Sequence, residues 1–132
     1  MKENLTGNLR MFLDIHAHSV KKSIFVYAPK PQERYEIART KVFNLILDDM
    51  SDVFSLENCR YNNDKKKKNS ARMCIFNDYK LADSYTVESS CFGFESKKED
   101  KNEGKTIQFT PEHFIEFGKT LAQAMSRHLY VT

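Results

Sequence analysis

No stretch of this 132-residue chain is apolar for the roughly 20 residues that a membrane-spanning helix needs, so no such helix and no membrane partner are expected. The N-terminus, Met1-Lys2-Glu3-Asn4, lacks the apolar core of a secretory signal peptide. Cysteine is scarce: Cys59, Cys74 and Cys91 are odd in number, widely spaced, and contain no C-x-x-C pair. They argue against a disulfide framework and predict reduced, mostly buried thiols in a cytoplasmic protein. Excess charge is also missing. A formal net charge of +3 is too weak to argue for a nucleic-acid partner. No internal repeat is visible.

The chain does contain the material for one core. Hydrophobic residues make up 40% of it, with ten Phe and six Tyr, against 30% charged residues. That balance argues against disorder over the whole length. The length suits one modest domain and is too short for two.

Residues 10–16 predict a first strand whose mixed apolar run suggests burial on both faces of a parallel or mixed sheet. A second β-rich run, residues 23–27, is stopped by Pro29 and Pro31, which remove ladder donors. A helix follows from about Pro31 or Gln32, with Tyr35, Ala38, Val42, Leu45 and Ile46 as its apolar stripe. Asp48 and Asp49 oppose the helix dipole and predict early fraying there. Residues 62–70 read as a polar loop, 71–76 and 84–89 as two further strands, and 77–80 as the turn between them. Residues 96–105 are almost wholly charged and predict a solvated loop insertion. The last element is the best-signalled helix. Thr110 can cap it, Pro111 suits its first position, and Phe114, Phe117, Leu121, Ala124 and Met125 form its stripe. Arg127 and His128 suit its C-terminal end. The order of elements is that of a small α/β domain.

Three places could carry chemistry. His16 and His18 lie two apart at a strand end, so both point to one face and could line one cleft. Two histidines alone do not make a zinc site, which takes three or four protein ligands, and surface or hydrogen-bonded histidines fit the spacing as well. Glu88, late in a β-rich run, is costly to bury unpaired; it is either a general base or a solvent-facing edge residue. The run Lys65 to Lys68 is solvated loop or a steering patch for an acidic partner; without interleaved aromatics it predicts no nucleic acid.

Residues 12–27, FLDIHAHSVKKSIFVY, resemble the signature of the cytosolic carboxypeptidases, a branch of the carboxypeptidase A-like zinc peptidases. Cys59-Arg60-Tyr61, Ser70-Ala71-Arg72, residues 84–93 (SYTVESSCFG) and Phe109-Thr110-Pro111-Glu112-His113 follow the same family in the same order. The resemblance covers roughly residues 10–127 and implies the C-terminal portion of a mixed-sheet zinc carboxypeptidase fold with flanking helices, over residues 1–132.

The resemblance implies that His16 is a Zn2+ ligand and Glu88 the general base acting on the zinc-bound water. It also implies that His18 and Arg72 lie on the substrate side, with Arg72 on a strand feeding the specificity pocket. The implied substrate is a protein or peptide with an acidic C-terminal tail, tubulin among the candidates, from which glutamates are removed. Tyr61 and Tyr85 are expected to pack rather than to face the cleft.

The family's other two ligands come from an upstream His-x-x-Glu, whereas the 15 residues before His16 contain no histidine. His113-Phe114-Ile115-Glu116 has that spacing but stands where the family has its closing helix, so it is not read as the ligand pair. With one ligand of three, the chain alone is expected to hold Zn2+ poorly. Two alternatives therefore stay open: a catalytically inactive truncated module acting in protein binding, or a gene-model fragment with no independent role.

Overall fold

The computed structural model describes residues 7–63, 65–98 and 104–131. Four strands form the main sheet: β1 (Phe12–His18), β2 (Ile24–Ala28), β3 (Arg60–Tyr61) and β4 (Ser84–Ser90). Their order is β1-β4-β2-β3, with β1 and β4 parallel, β2 antiparallel to β4, and β3 parallel to β2. The sheet is therefore mixed, as expected. Helix α1 (Arg34–Met50) makes the crossover from β2 towards β3 that a parallel pair requires. Helix α2 (Ala71–Tyr79) precedes β4. A short hairpin, β5 (Phe94–Glu95) and β6 (Thr106–Ile107), then leads into α3 (Pro111–Val131). Residues 99–103 of the charged insertion lie outside the described residues, as do residues 1–6.

The two faces of β4 divide the molecule. Tyr85 and Val87 turn to the apolar face, where Phe43 of α1 packs 4.8 Å from the Tyr85 ring and 5.4 Å from His128 of α3. Ile24, Val26, Leu47, Phe117, Leu121 and Ala124 complete this core. Ser84, Thr86 and Glu88 alternate onto the opposite face, where α2 lies, and Ser84 Oγ donates to the Arg72 carbonyl at 2.7 Å. Period-two alternation on a strand covered on both faces thus gives one greasy face and one polar one.

Several expectations change. Residues 71–76 are helical, because Ala, Arg and Met favour the helix and only Arg72 and Met73 need to face inward. Arg72 therefore reaches the sheet from a helix, not along a strand. Helix α1 does not fray at Asp48 but runs to Met50, and its buried residues are Thr40, Phe43, Asn44 and Leu47. Tyr35 and Leu45 are exposed. The face chosen contains two polar residues because both find partners: Thr40 Oγ1 donates to the Ile37 carbonyl, and Asn44 Nδ2 to the Tyr61 hydroxyl at 2.7 Å. In α3, Phe114 is exposed and stacks on Phe109, while Phe117, Leu121, Ala124 and His128 are buried. All three cysteines are free, but only Cys59 is buried.

His128 is a central tie rather than a helix-end charge. Its Nε2 lies 3.1 Å from Asp83 Oδ1, which also accepts from the Tyr85 hydroxyl at 2.8 Å. Arg39 Nε donates to Asp83 Oδ2 at 2.6 Å. Burial alone would raise the Asp83 carboxyl. Hydrogen bonds from His128, Tyr85 and Arg39, with the charge of His128, outweigh it and hold that carboxyl below its usual range. One carboxylate joins α1, β4 and α3.

Candidate active site

The polar face of the sheet is built by register. His16 on β1 stands opposite Glu88 on β4, and Phe25 on β2 stands opposite Glu88 from the other side. Asp14 and Tyr27 flank Thr86 in the same way, and His18 lies beside Ser90. The spacing of two along β1 puts Asp14, His16 and His18 on one face. Strand β1 runs to His18, so both histidines lie within it rather than just beyond its end.

Glu88 is the buried member, with a side chain 7% exposed. His16 Nδ1 lies 3.1 Å from its Oε2, and His16 Nε2 lies 3.7 Å from Asp14 Oδ2. The first approach is off the direction of a hydrogen bond, which leaves the buried Oε2 without a hydrogen-bond partner. An unsatisfied buried carboxylate oxygen costs about 1–3 kcal/mol or more, and such a cost persists where the group is used. His16 is half exposed. The pair thus joins an open imidazole to a sheltered carboxylate.

Arg72 reaches this face from α2 and is buried. Its Nη1 lies 3.4 Å from Thr86 Oγ1 and 3.5 Å from Ser70 Oγ, and its Nε has no partner. Burial lowers the guanidinium's pKa, opposed by the charges of Glu88, Tyr27 and Asp14. The group stays protonated.

His18 is committed at one nitrogen, with Nδ1 accepting from the backbone N–H of Val20 and of Lys21, each at 3.1 Å. Its ring meets Phe25 edge-on at 5.0 Å, so it shapes the turn that closes β1. Tyr85 is turned to the core and Tyr61 is bonded by Asn44, so both phenols pack as expected.

His113 Nδ1 accepts from the Thr110 N–H at 3.0 Å, the reciprocal bond of a capping box at the start of α3. Glu116 is exposed beside Lys119.

A protein-bound zinc takes three or four protein donors. Among the described residues, no group of three or more His, Cys, Asp and Glu side chains is arranged to hold a metal ion. His16 is a free-standing imidazole donor with a buried carboxylate beside it, which fits part of a metal site and not a whole one.

Sequence reasoning missed the surroundings of Tyr27. Lys67 Nζ lies 4.5 Å, Lys21 Nζ 5.6 Å and the Arg72 guanidinium carbon 5.7 Å from the centre of its ring. Burial, aided by Glu88, pushes the Tyr27 phenol up. The available signal was alternation on β2, which places Tyr27 on the face of Glu88.

The fold defines the class. The chain superposes on a metallo-carboxypeptidase of Burkholderia cenocepacia with a TM-score of 0.71 at 16% identity, covering 98% of this chain and 33% of that one. A Shewanella denitrificans OS-217 protein named for carboxypeptidase A gives 0.70 at 18% identity, covering 96% and 34%. The architecture is thus one part of the metallo-carboxypeptidase fold.

Within that class the sequence is similar to the cytosolic carboxypeptidases. It is 31% identical to mouse cytosolic carboxypeptidase 2 over 84 residues, 63% of this chain and 10% of that protein. Against zebrafish cytosolic carboxypeptidase 1 it is 26% identical over 130 residues, 89% of this chain and 11% of the relative. A Plasmodium falciparum protein with zinc carboxypeptidase in its name is 28% identical over 121 residues. The chain spans about a tenth of the length of these curated relatives. No protein-family model matches it.

Proposed function

We propose that the chain is the C-terminal part of the catalytic domain of a zinc-dependent carboxypeptidase of the cytosolic kind. It would work in the cytoplasm, removing C-terminal or branched glutamates from acidic protein tails such as those of tubulin. The observation that carries this is the pairing of His16 with Glu88. A half-exposed imidazole faces a buried carboxylate whose Oε2 is orphaned, on a face lined by a buried arginine.

In this reading Glu88 accepts the proton of the attacking water and passes it to the leaving nitrogen. Its shelter keeps bulk water from competing for the lone pair. His16 would provide one donor to Zn2+, and the other donors are not among the described residues. Arg72 offers its unpartnered Nε to a substrate carboxylate, and His18 holds the turn at the edge of the cleft. The names of the relatives and the three free thiols support a reducing cytoplasmic setting.

Glutamate release from a polyglutamylated peptide, followed with zinc present, tests this reading. Release that disappears in Glu88→Gln supports it, and release indifferent to that change overturns it. The second reading is a protein-binding module without catalysis. It is favoured by the incomplete donor set and by β1, the outer strand of the sheet among the described residues, with Ile15 60% exposed on its apolar face. Absence of release from both proteins would leave that reading in place.

A further inference from the structure

Strand β1 ends the main sheet, and its outer edge pairs with nothing among the described residues. The opposite edge is protected by brevity, since β3 has only two residues. β1 has seven residues, contains no lysine or proline, and runs beside β4 residue for residue without a bulge. It therefore carries none of the features by which exposed edges usually avoid pairing. Ile15, His16 and Ala17 in its middle are exposed.

Backbone parity decides which groups face outward. The Phe12 N–H donates to the Asp83 carbonyl at 2.9 Å, and the His18 carbonyl accepts from the Cys91 N–H at 3.0 Å. Backbone groups alternate in direction along a strand, so Phe12, Asp14, His16 and His18 bond towards β4. Leu13, Ile15 and Ala17 present their N–H and C=O groups to the open edge.

We infer that this edge is a dimer interface, in which two copies of the chain pair their β1 strands antiparallel about a twofold axis at Ile15. A closed twofold contact is self-complementary and requires antiparallel strands. With the axis at Ile15, the outward groups of Leu13, Ile15 and Ala17 exchange hydrogen bonds with those of the second copy, and all seven residues are paired. Asp14 then stands opposite His16 of the second copy, and His16 opposite its Asp14, at the positions where facing side chains come closest. Within one chain the two are 3.7 Å apart and partly exposed, so both remain available. An imidazole N–H donates to a carboxylate in either protonation state. On the other face the two Ile15 side chains, each 60% exposed in the single chain, cover one another. Charge selects this register. An axis at Asp14 would set carboxylate against carboxylate, and one at His16 would set the imidazoles together and leave Phe12 and Leu13 without strand partners. The inference goes beyond the carboxypeptidase reading and uses none of its chemistry.

The test is sedimentation equilibrium of the 132-residue chain, taken to about 200 µM because one strand pair is a small interface. Each variant is checked for native far-ultraviolet dichroism. A monomer–dimer equilibrium is expected. Ile15→Lys, which sets two ammonium groups across the axis, is expected to weaken it about tenfold or more, and His16→Asp, which faces Asp14 with a carboxylate, as much. Adding Asp14→His to His16→Asp exchanges the two partners and is expected to restore the dimer to within about threefold. Cysteine cross-linking reads the register, with Cys74→Ser and Cys91→Ser as background. Ile15→Cys is expected to link two copies on mild oxidation, since facing hydrogen-bonded residues have Cα atoms about 5.5 Å apart. Ala17→Cys, two steps from the axis, is expected not to link.

A monomer at every concentration would overturn the inference and leave the edge to a strand of another sequence. Species that grow beyond the dimer would also overturn it, because a twofold contact closes. A dimer indifferent to Ile15→Lys would place the interface elsewhere on the molecule. Failure of the exchanged pair to restore association, or linking by Ala17→Cys in preference to Ile15→Cys, would refute the register.

Discussion

His128 and Asp83 are 45 residues apart in sequence, yet their side chains meet at 3.1 Å with neither more than 1% exposed. Asp83 also takes bonds from Tyr85 and Arg39, so this one carboxylate fixes how α1 and α3 sit on the sheet. Removing it takes this acceptor from a buried imidazole and a partly buried guanidinium. Asp83→Ala is expected to lower stability by about 3–5 kcal/mol, read from urea unfolding. A change below about 1 kcal/mol would show that the network contributes little.

The same carboxyl sets an acid limit. Its folded pKa lies below the ordinary carboxylate value, so its contribution is fully present above that ordinary value. The contribution is lost as pH falls through the folded pKa, that is, below about pH 4. The wild-type protein should lose stability steeply below that pH, and Asp83→Asn should show a shallower acid limb in the same titration.

Gly93 is required by a close approach. A Cβ built there would lie 2.3 Å from the Ile107 carbonyl oxygen, a backbone atom of the hairpin partner that cannot turn aside. Gly93→Ala is expected to cost roughly 1–3 kcal/mol by prying β5 from β6. A melting temperature equal to wild type would contradict this.

The thiols should divide by burial. Cys59 is buried, accepts from the Val26 N–H, and is pushed up to about 11 chiefly by burial. Cys74 and Cys91 are exposed. Ellman's reagent at pH 8 should titrate two thiols in the native protein and the third only after denaturation. Rapid reaction of all three would show that the β2–β3 region opens.

His16 is half exposed and makes no well-directed hydrogen bond to Glu88, so it contributes little to folding. His16→Ala should change the unfolding free energy by less than about 1 kcal/mol. It should nevertheless abolish any glutamate release that depends on Glu88. A large loss of stability would assign His16 a structural role instead.

The sequence by itself determined the elements whose signals are local. Pro29 and Pro31 end β2, Thr110-Pro111 start α3, and the spacing of Asp14, His16 and His18 on a strand fixes their shared face. Together with the ordered motifs it also determined the class of fold, because β-rich runs separated by helical stripes leave few arrangements.

Tertiary structure decided the rest. Which face of α1 is buried depended on Tyr61 satisfying Asn44, a partner that no helical stripe predicts. Arg72 stands on a helix because residues 71–76 can adopt either state, and docking under β4 selects the helical one. The role of His128 needed Asp83, and the cations around Tyr27 needed three separate segments to converge. Local propensity extends over a turn or two of chain. Hydrogen bonds and charges act between whatever the fold brings within a few ångströms, and that proximity appears only when the sheet is assembled.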